Sequence, residues 1–298
     1  MQHRYRPRGV VRLLPNLLPV LSFLFLFTSA QRAGAQANDR VSDGSASGRI
    51  GCPQCKNDGS EVARLLQSAD ALYDRFKPRE ALKELQNALQ MDPQNHEALA
   101  KLARVYIEFG DRIAESGPDW REKRLQQYLV AEQYARRAVK ADPSSTWGHF
   151  YVAASLGKIA LQSSVARQLD LAQEIRDAVE KAIALDPENG FAYHIYGVWH
   201  RNMAEVGQLS RVFASVVLWR SVPRGALEKS VEYLRRAISL NPTVIMHRLE
   251  LGKTYLAMGK WDFARDALRS IQDLPKQFSD DHINKRTAQK LLQEIRDR

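Results

Sequence analysis

The chain has 298 residues, 44% of them hydrophobic and 8% aromatic, which is enough for a sizeable core and argues against a disordered chain. Its formal charge is +10, but Arg4, Arg6, Arg8, Arg12 and Arg32 sit in a first stretch of 35 residues that holds no acid. The remaining surplus is diluted among interspersed acids, so the charge balance gives no reason to expect a nucleic-acid partner.

The first element is a leader. "MQHRYRPRGVVR" is basic, "LLPNLLPVLSFLFLFTSA" is apolar with its densest run at 17–27, and "QRAGAQAND" carries small-x-small cleavage patterns at 33–35 and 35–37. That layout is a signal peptide over 1–35. Pro15, Asn16 and Pro19 interrupt the apolar run and leave it short for a membrane span. The mature chain is therefore expected outside the cytoplasm, periplasmic or extracellular. The alternative is an uncleaved N-terminal membrane anchor.

Residues 36–60 follow as a flexible linker, Gly- and Ser-rich from Ser42 on, which contains both cysteines of the chain, Cys52 and Cys55. One CxxC supplies half of a zinc site, with no His pair at ligand spacing after it and no βαβ context for a redox role. A local disulfide or two mobile thiols is the plainer expectation in an oxidising compartment, and a metal or redox role the weaker one.

From residue 61 to 298 the period is helical. Five segments share one ending, an apolar-faced helix closed by proline: "EALKELQNALQMDPQN", "AEQYARRAVKADPSS", "RDAVEKAIALDPEN", "SVEYLRRAISLNPT" and "ARDALRSIQDLP". Proline cannot continue a helix, and Asp92, Asp142, Asp186 and Asn241 before it favour a turn. Five preceding segments align as well, with a small residue at Ala69, Ala103, Ala153, Gly197 and Gly252. A larger one follows three positions on, at Leu72, Tyr106, Leu156, His200 and Tyr255. The small residue lets two helices approach and the large one fills the next layer.

This pattern resembles the tetratricopeptide repeat, a helix-turn-helix of about 34 residues. The resemblance implies an all-α solenoid: a right-handed superhelix of about five units with a C-terminal capping helix. The closing unit, "LELGKTYLAMGKWDFARDAL", fits most closely. The terminal prolines (Pro93, Pro143, Pro187, Pro242, Pro275) are 50, 44, 55 and 33 residues apart, so units two, three and four carry inserts. These are approximately "RIAESGPDWREKRLQQ", "LQSSVARQLD" and "EVGQLSRVFASVVLWRSVPRG". Three enlarged units before an ordinary one, with "WGHFYVAASLGKIA" and "IRDAVEKAIALDPENGFAYHIYGVWHRNMAEV", resemble the regulator of microtubule dynamics family. That resemblance implies microtubule association and organelle attachment. A chain with this leader would not meet cytoplasmic microtubules, and so looks like an exported, bacterial relative.

In repeats of this kind the first helix of each unit lines the concave face. The resemblance places Lys101, Arg104, Trp147, Phe150, Tyr151, Phe191, His194, Arg201, Asn202 and Lys253 there. An aromatic strip with cations beside it suits an extended peptide of some acidic character. The same rings would equally serve as core if the inserts cover them. "VFASVVLWRSV" at 212–222 reads as a buried helix or loop, or else as a patch meeting a lipid tail or partner. The histidines are scattered, and HExxH, GxSxG and phosphate-binding Gly loops are missing, so an enzyme, a metal or a cofactor is not expected. The tail, "SDDHINKRTAQKLLQEIRDR", reads as the capping helix, with Ser279 as N-cap and Ile283, Ala288, Leu291, Leu292 and Ile295 as its docking face. The sequence supports a protein-binding scaffold first and a family-like tether or lipid-contacting module second. It does not set the oligomeric state.

Overall fold

A computed structural model of the chain describes residues 58–206 and 223–298. The leader, the CxxC and the apolar stretch at 212–222 lie outside the described residues. Those described form eleven α-helices and no strand. Five antiparallel hairpins follow one another: α1 (Asp58–Asp74) with α2 (Pro78–Met91), α3 (His96–Asp111) with α4 (Trp120–Ala141), α5 (Thr146–Leu161) with α6 (Val165–Leu185), α7 (Gly190–Glu205) with α8 (Leu227–Leu240), and α9 (Ile245–Ala257) with α10 (Trp261–Arg269). The last helix, α11 (Asp281–Glu294), docks on α9 and α10. The architecture is therefore an all-α solenoid of repeated hairpins capped by a terminal helix. Its first helix starts at Asp58, slightly ahead of the expected boundary at residue 61.

The junctions between units follow from the Asp-Pro-x-Asn/Ser pattern. Asp142 and Asp186 each accept from the amide two residues on, at 2.9 Å, and Asp92 does so at 3.2 Å. That closes the turn where the proline stops the helix. Two or three residues later a side chain caps the next helix: Asn95 accepts from Ala98 N at 2.9 Å, Ser145 from Gly148 N at 3.1 Å and Asn189 from Ala192 N at 3.0 Å. One short motif thus ends one helix and starts the next. Within the last unit, Gly259 takes φ +68° after α9, where a side chain would be strained.

Two inserts become helix. α4 and α6 run 22 and 21 residues, against 14 for α8. The loop ahead of α4 is pinned by Arg124, which donates to Gly110 O (3.2 Å), Ile113 O (2.7 Å) and Glu115 (2.8 Å). The third insert begins after α7, and most of it lies outside the described residues.

The small positions act as expected. Ala69, Ala103 and Ala153 are fully buried. A Cβ added at Gly197 would stand 2.7 Å from Leu234 Cγ, and one at Gly252 2.6 Å from Leu268 Cδ2. Each glycine marks where the two helices of its hairpin touch.

The capping helix departs from expectation at its start. Its N-cap is Asp280, not Ser279, and Ile283 is exposed rather than docked. The buried residues of its first turn are Asp281 and Asn284. Asp281 is turned inward because its Oδ2 accepts the amides of Gln277 (2.7 Å) and Phe278 (2.8 Å), tying down the approach to the helix. Burial raises its carboxyl above the usual range.

Candidate functional site

The first helices of units two to five, α3, α5, α7 and α9, carry all ten residues singled out from the sequence. Trp147 and Lys253 are partly exposed. The other eight are at most 8% exposed, so along this face they are packed side chains rather than the walls of an open trough.

Its rings form one row. Trp147 meets Phe150 edge-on (centroids 5.3 Å) and tilts against Tyr151 (6.0 Å), and Phe150 meets Tyr151 at 4.9 Å. Phe150 passes the row to Phe191 (6.5 Å), which meets both His247 (5.4 Å) and Phe278 (6.4 Å). Edge-to-face contacts of this kind add about 0.5–1.5 kcal/mol per pair beyond area burial. Three helices and the C-terminal segment are joined through these rings.

The cations have a different setting from the one anticipated. They do not stand as an unmatched rim: Lys101, Arg104 and Arg201 each meet an acid from another unit, and Lys253 meets Glu250 on its own helix. Lys101 Nζ donates to Asp70 (2.7 Å) and Glu97 (2.9 Å), and Arg104 donates to the other oxygen of Asp70 (2.9 Å). The Arg104 guanidinium also lies 3.8 Å above the Tyr73 ring. Lys158 Nζ reaches both oxygens of Asp111 at 2.6 and 2.8 Å. Arg201 holds the Glu250 carboxylate and donates to its carbonyl at 3.0 Å, while Lys253 takes the second carboxylate oxygen at 2.7 Å. These pairs join unit one to two, two to three, and four to five.

Electrostatics follow the geometry. Burial alone would raise the Glu250 carboxyl, but Lys253 and Arg201 outweigh it and hold the group at about 2. Burial lowers the Lys158 ammonium, opposed by Asp111 and by Asp280 of the C-terminal segment. His194 and His247 touch through their Nδ1 atoms at 3.0 Å, so one donates and the other accepts. Burial brings His194 down to about 4 and His247 well below the ordinary value.

An apolar cavity of about 30 Å³ lies between α5, α6 and α7, bordered by Ala154, Gly157, Ala172, Trp199 and Asn202 among others. Among the described residues the buried Asn202 Nδ2 has no hydrogen-bond partner. Among the described residues no group of three or more His, Cys, Asp or Glu could hold a metal.

Sequence reasoning missed Asp70, Asp111, Glu250, His247 and Phe278. A signal existed for the acids only in part: each sits on a first helix, which gives it a place in the repeat register but does not say which cation stands opposite it. Phe278 had no such signal, because it lies outside the repeats.

Comparison with known proteins agrees with this architecture. The model of the family described as regulator of microtubule dynamics protein 1-3 matches residues 65–296. Regulator of microtubule dynamics protein 1 of Bos taurus is 28% identical over 239 residues, 80% of this chain and 73% of that one. Its Homo sapiens counterpart is 30% identical over 172 residues, 57% of this chain and 54% of that one. Among solved structures, a thermophilic tetratricopeptide repeat protein of Thermus thermophilus, TTC0263, superposes with a TM-score of 0.54 at 17% identity, covering 76% of this chain and 98% of that one. The family model's match, running across both described segments, places this chain in the regulator of microtubule dynamics protein 1-3 family.

Proposed function

We propose that the chain is an exported, non-catalytic scaffold that orders a segment of a partner protein along the channel of α3, α5, α7 and α9. The observation that carries the reading is the ring row. It starts at the partly exposed Trp147 and runs without interruption into the buried Phe150 and Phe191. A partner side chain entering beside Trp147 would extend a stack that is already rigid, so little ordering cost falls on the scaffold. The cations shape the walls and set polarity, because their charges are already met within the chain. The test is capture of partners from the envelope fraction by the mature chain and by Trp147→Ser. Loss of capture with unfolding stability unchanged supports the channel; unchanged capture refutes it.

Family membership favours one alternative, a regulator of microtubule dynamics, as the relatives' names state, acting as a tether. Co-sedimentation of the mature chain with polymerised tubulin tests that alternative directly. Lipid contact through 212–222 falls outside the described residues.

A further inference from the structure

The second half of the connection between α10 and α11, residues 275–280, leaves the last hairpin and turns back across the inner face. Phe278 is buried in the same apolar cluster as Phe150, Phe191 and Ile195, with its ring against Phe191. Gln277 Nε2 donates to Thr243 Oγ1 at 3.0 Å, ahead of α9. Asp280 is buried and adds its charge to that of Asp111 around Lys158, more than a hundred residues away in sequence. Asp281 fixes the shape by accepting the amides of Gln277 and Phe278. An aromatic side chain therefore joins the ring row, and a buried acid follows two residues later. That is the arrangement expected of a bound peptide, but supplied by the chain itself.

We infer that this strap occupies part of the channel in cis, and that the partner presents the same chemistry: an aromatic residue followed by acids, in the pattern Phe-x-Asp-Asp. The inference rests on the channel reading and sharpens it by naming the partner's side chains and their order. Two features support a strap over an ordinary core segment. It carries no helix of its own, and Pro275 and Lys276 at its entry are exposed. Its hold on the inner face is one ring, one buried acid and the Gln277–Thr243 bond, a short set of contacts that a competing segment could replace. A channel filled in cis binds such a segment with an affinity reduced by the fraction of time the strap is out.

The experiment uses the mature chain and a fluorescent peptide copying residues 275–282, PKQFSDDH, read by anisotropy. Phe278→Ala is expected to bind the peptide at least about tenfold more tightly than the parent chain. A peptide with alanine for its phenylalanine and asparagines for its two aspartates is expected to bind neither. Because Phe278 is buried and its removal could unfold the cap, the parent chain supplies a second reading by hydrogen exchange. Saturating peptide is expected to speed exchange at the Gln277 and Phe278 amides. A folded Phe278→Ala variant with unchanged affinity, or amides that stay protected under saturating peptide, would make the strap permanent core and overturn the inference. Should envelope partners depend on Trp147 while the peptide fails in every form, the channel reading stands and this one falls.

Discussion

Lys158 donates to both carboxylate oxygens of Asp111 across the boundary between the second and third units, with 1% and 5% of the two side chains exposed. Tyr128 adds a third bond to the same carboxylate at 2.8 Å. A buried pair of this kind contributes modestly to net stability, because desolvation offsets most of the attraction, but it is costly to halve. Asp111→Ala should destabilise the chain by about 3–5 kcal/mol, and Asp111→Leu with Lys158→Met should recover most of it. Urea unfolding of the two singles and the double checks this. Additive losses would mean that the two groups act independently.

Acid stability should fall in two windows. His194 has its folded value lowered to about 4, so the unfolded chain binds the extra proton first. Its contribution is full above about pH 6.5 and is lost as pH falls toward 4. His247 shifts the same way. Glu250, held at about 2, acts below that: its contribution is full above about pH 4.5 and disappears toward pH 2. Unfolding free energies measured from pH 8 to 3 should slope in the upper window, and His194→Gln should flatten that slope. An equal slope in the variant would contradict the assignment.

The glycines should respond in opposite directions. Gly197→Ala drives a methyl to 2.7 Å from Leu234, and Gly252→Ala to 2.6 Å from Leu268. Each should lose about 1–3 kcal/mol by overpacking. Gly157 lies within α5, borders the apolar cavity, and would place its Cβ where nothing stands within 4 Å. Gly157→Ala should gain about 0.4–1 kcal/mol from reduced freedom of the unfolded chain. Thermal melts of the three variants distinguish the two cases by sign.

The rings of the row should separate by depth. Phe150 is fully buried, and Phe150→Ser should cost about 3–5 kcal/mol, in the range of large-to-small core changes. Trp147→Ser, at the partly exposed mouth, should cost markedly less. Equal losses would mean that Trp147 is as structural as Phe150.

Much of the fold was legible because repeats announce themselves locally. The Asp-Pro turns, the caps that follow them and the Ala or Gly of each first helix all lie within a few residues of what they control. The concave residues were legible for the same reason, since register alone puts Lys101, Arg104, Phe150 and Arg201 on one face. Their partners were not. Asp70 lies 31 and 34 residues from its cations, Asp111 47 from Lys158, and Glu250 49 from Arg201. Periodicity says which side a residue faces and is silent on which charge stands opposite. The start of the cap was misread for a related reason. "SDD" has the composition of an exposed helix start, and only the strap folding back over it turns Asp281 inward.

The inter-unit ion pairs also have a mechanical meaning. Successive first helices are joined by opposite charges between units one and two, two and three, and four and five. The joint between units three and four is held differently among the described residues: Trp199 donates to Ala172 O at 2.8 Å, Tyr196 donates to the Glu180 carboxylate, and Phe150 meets Phe191. Charge pairs resist sliding, because each has one favourable position, whereas smooth hydrocarbon surfaces tolerate small rotations. Among the described residues that joint thus relies on ring packing and hydrogen bonds, where its neighbours use buried ion pairs.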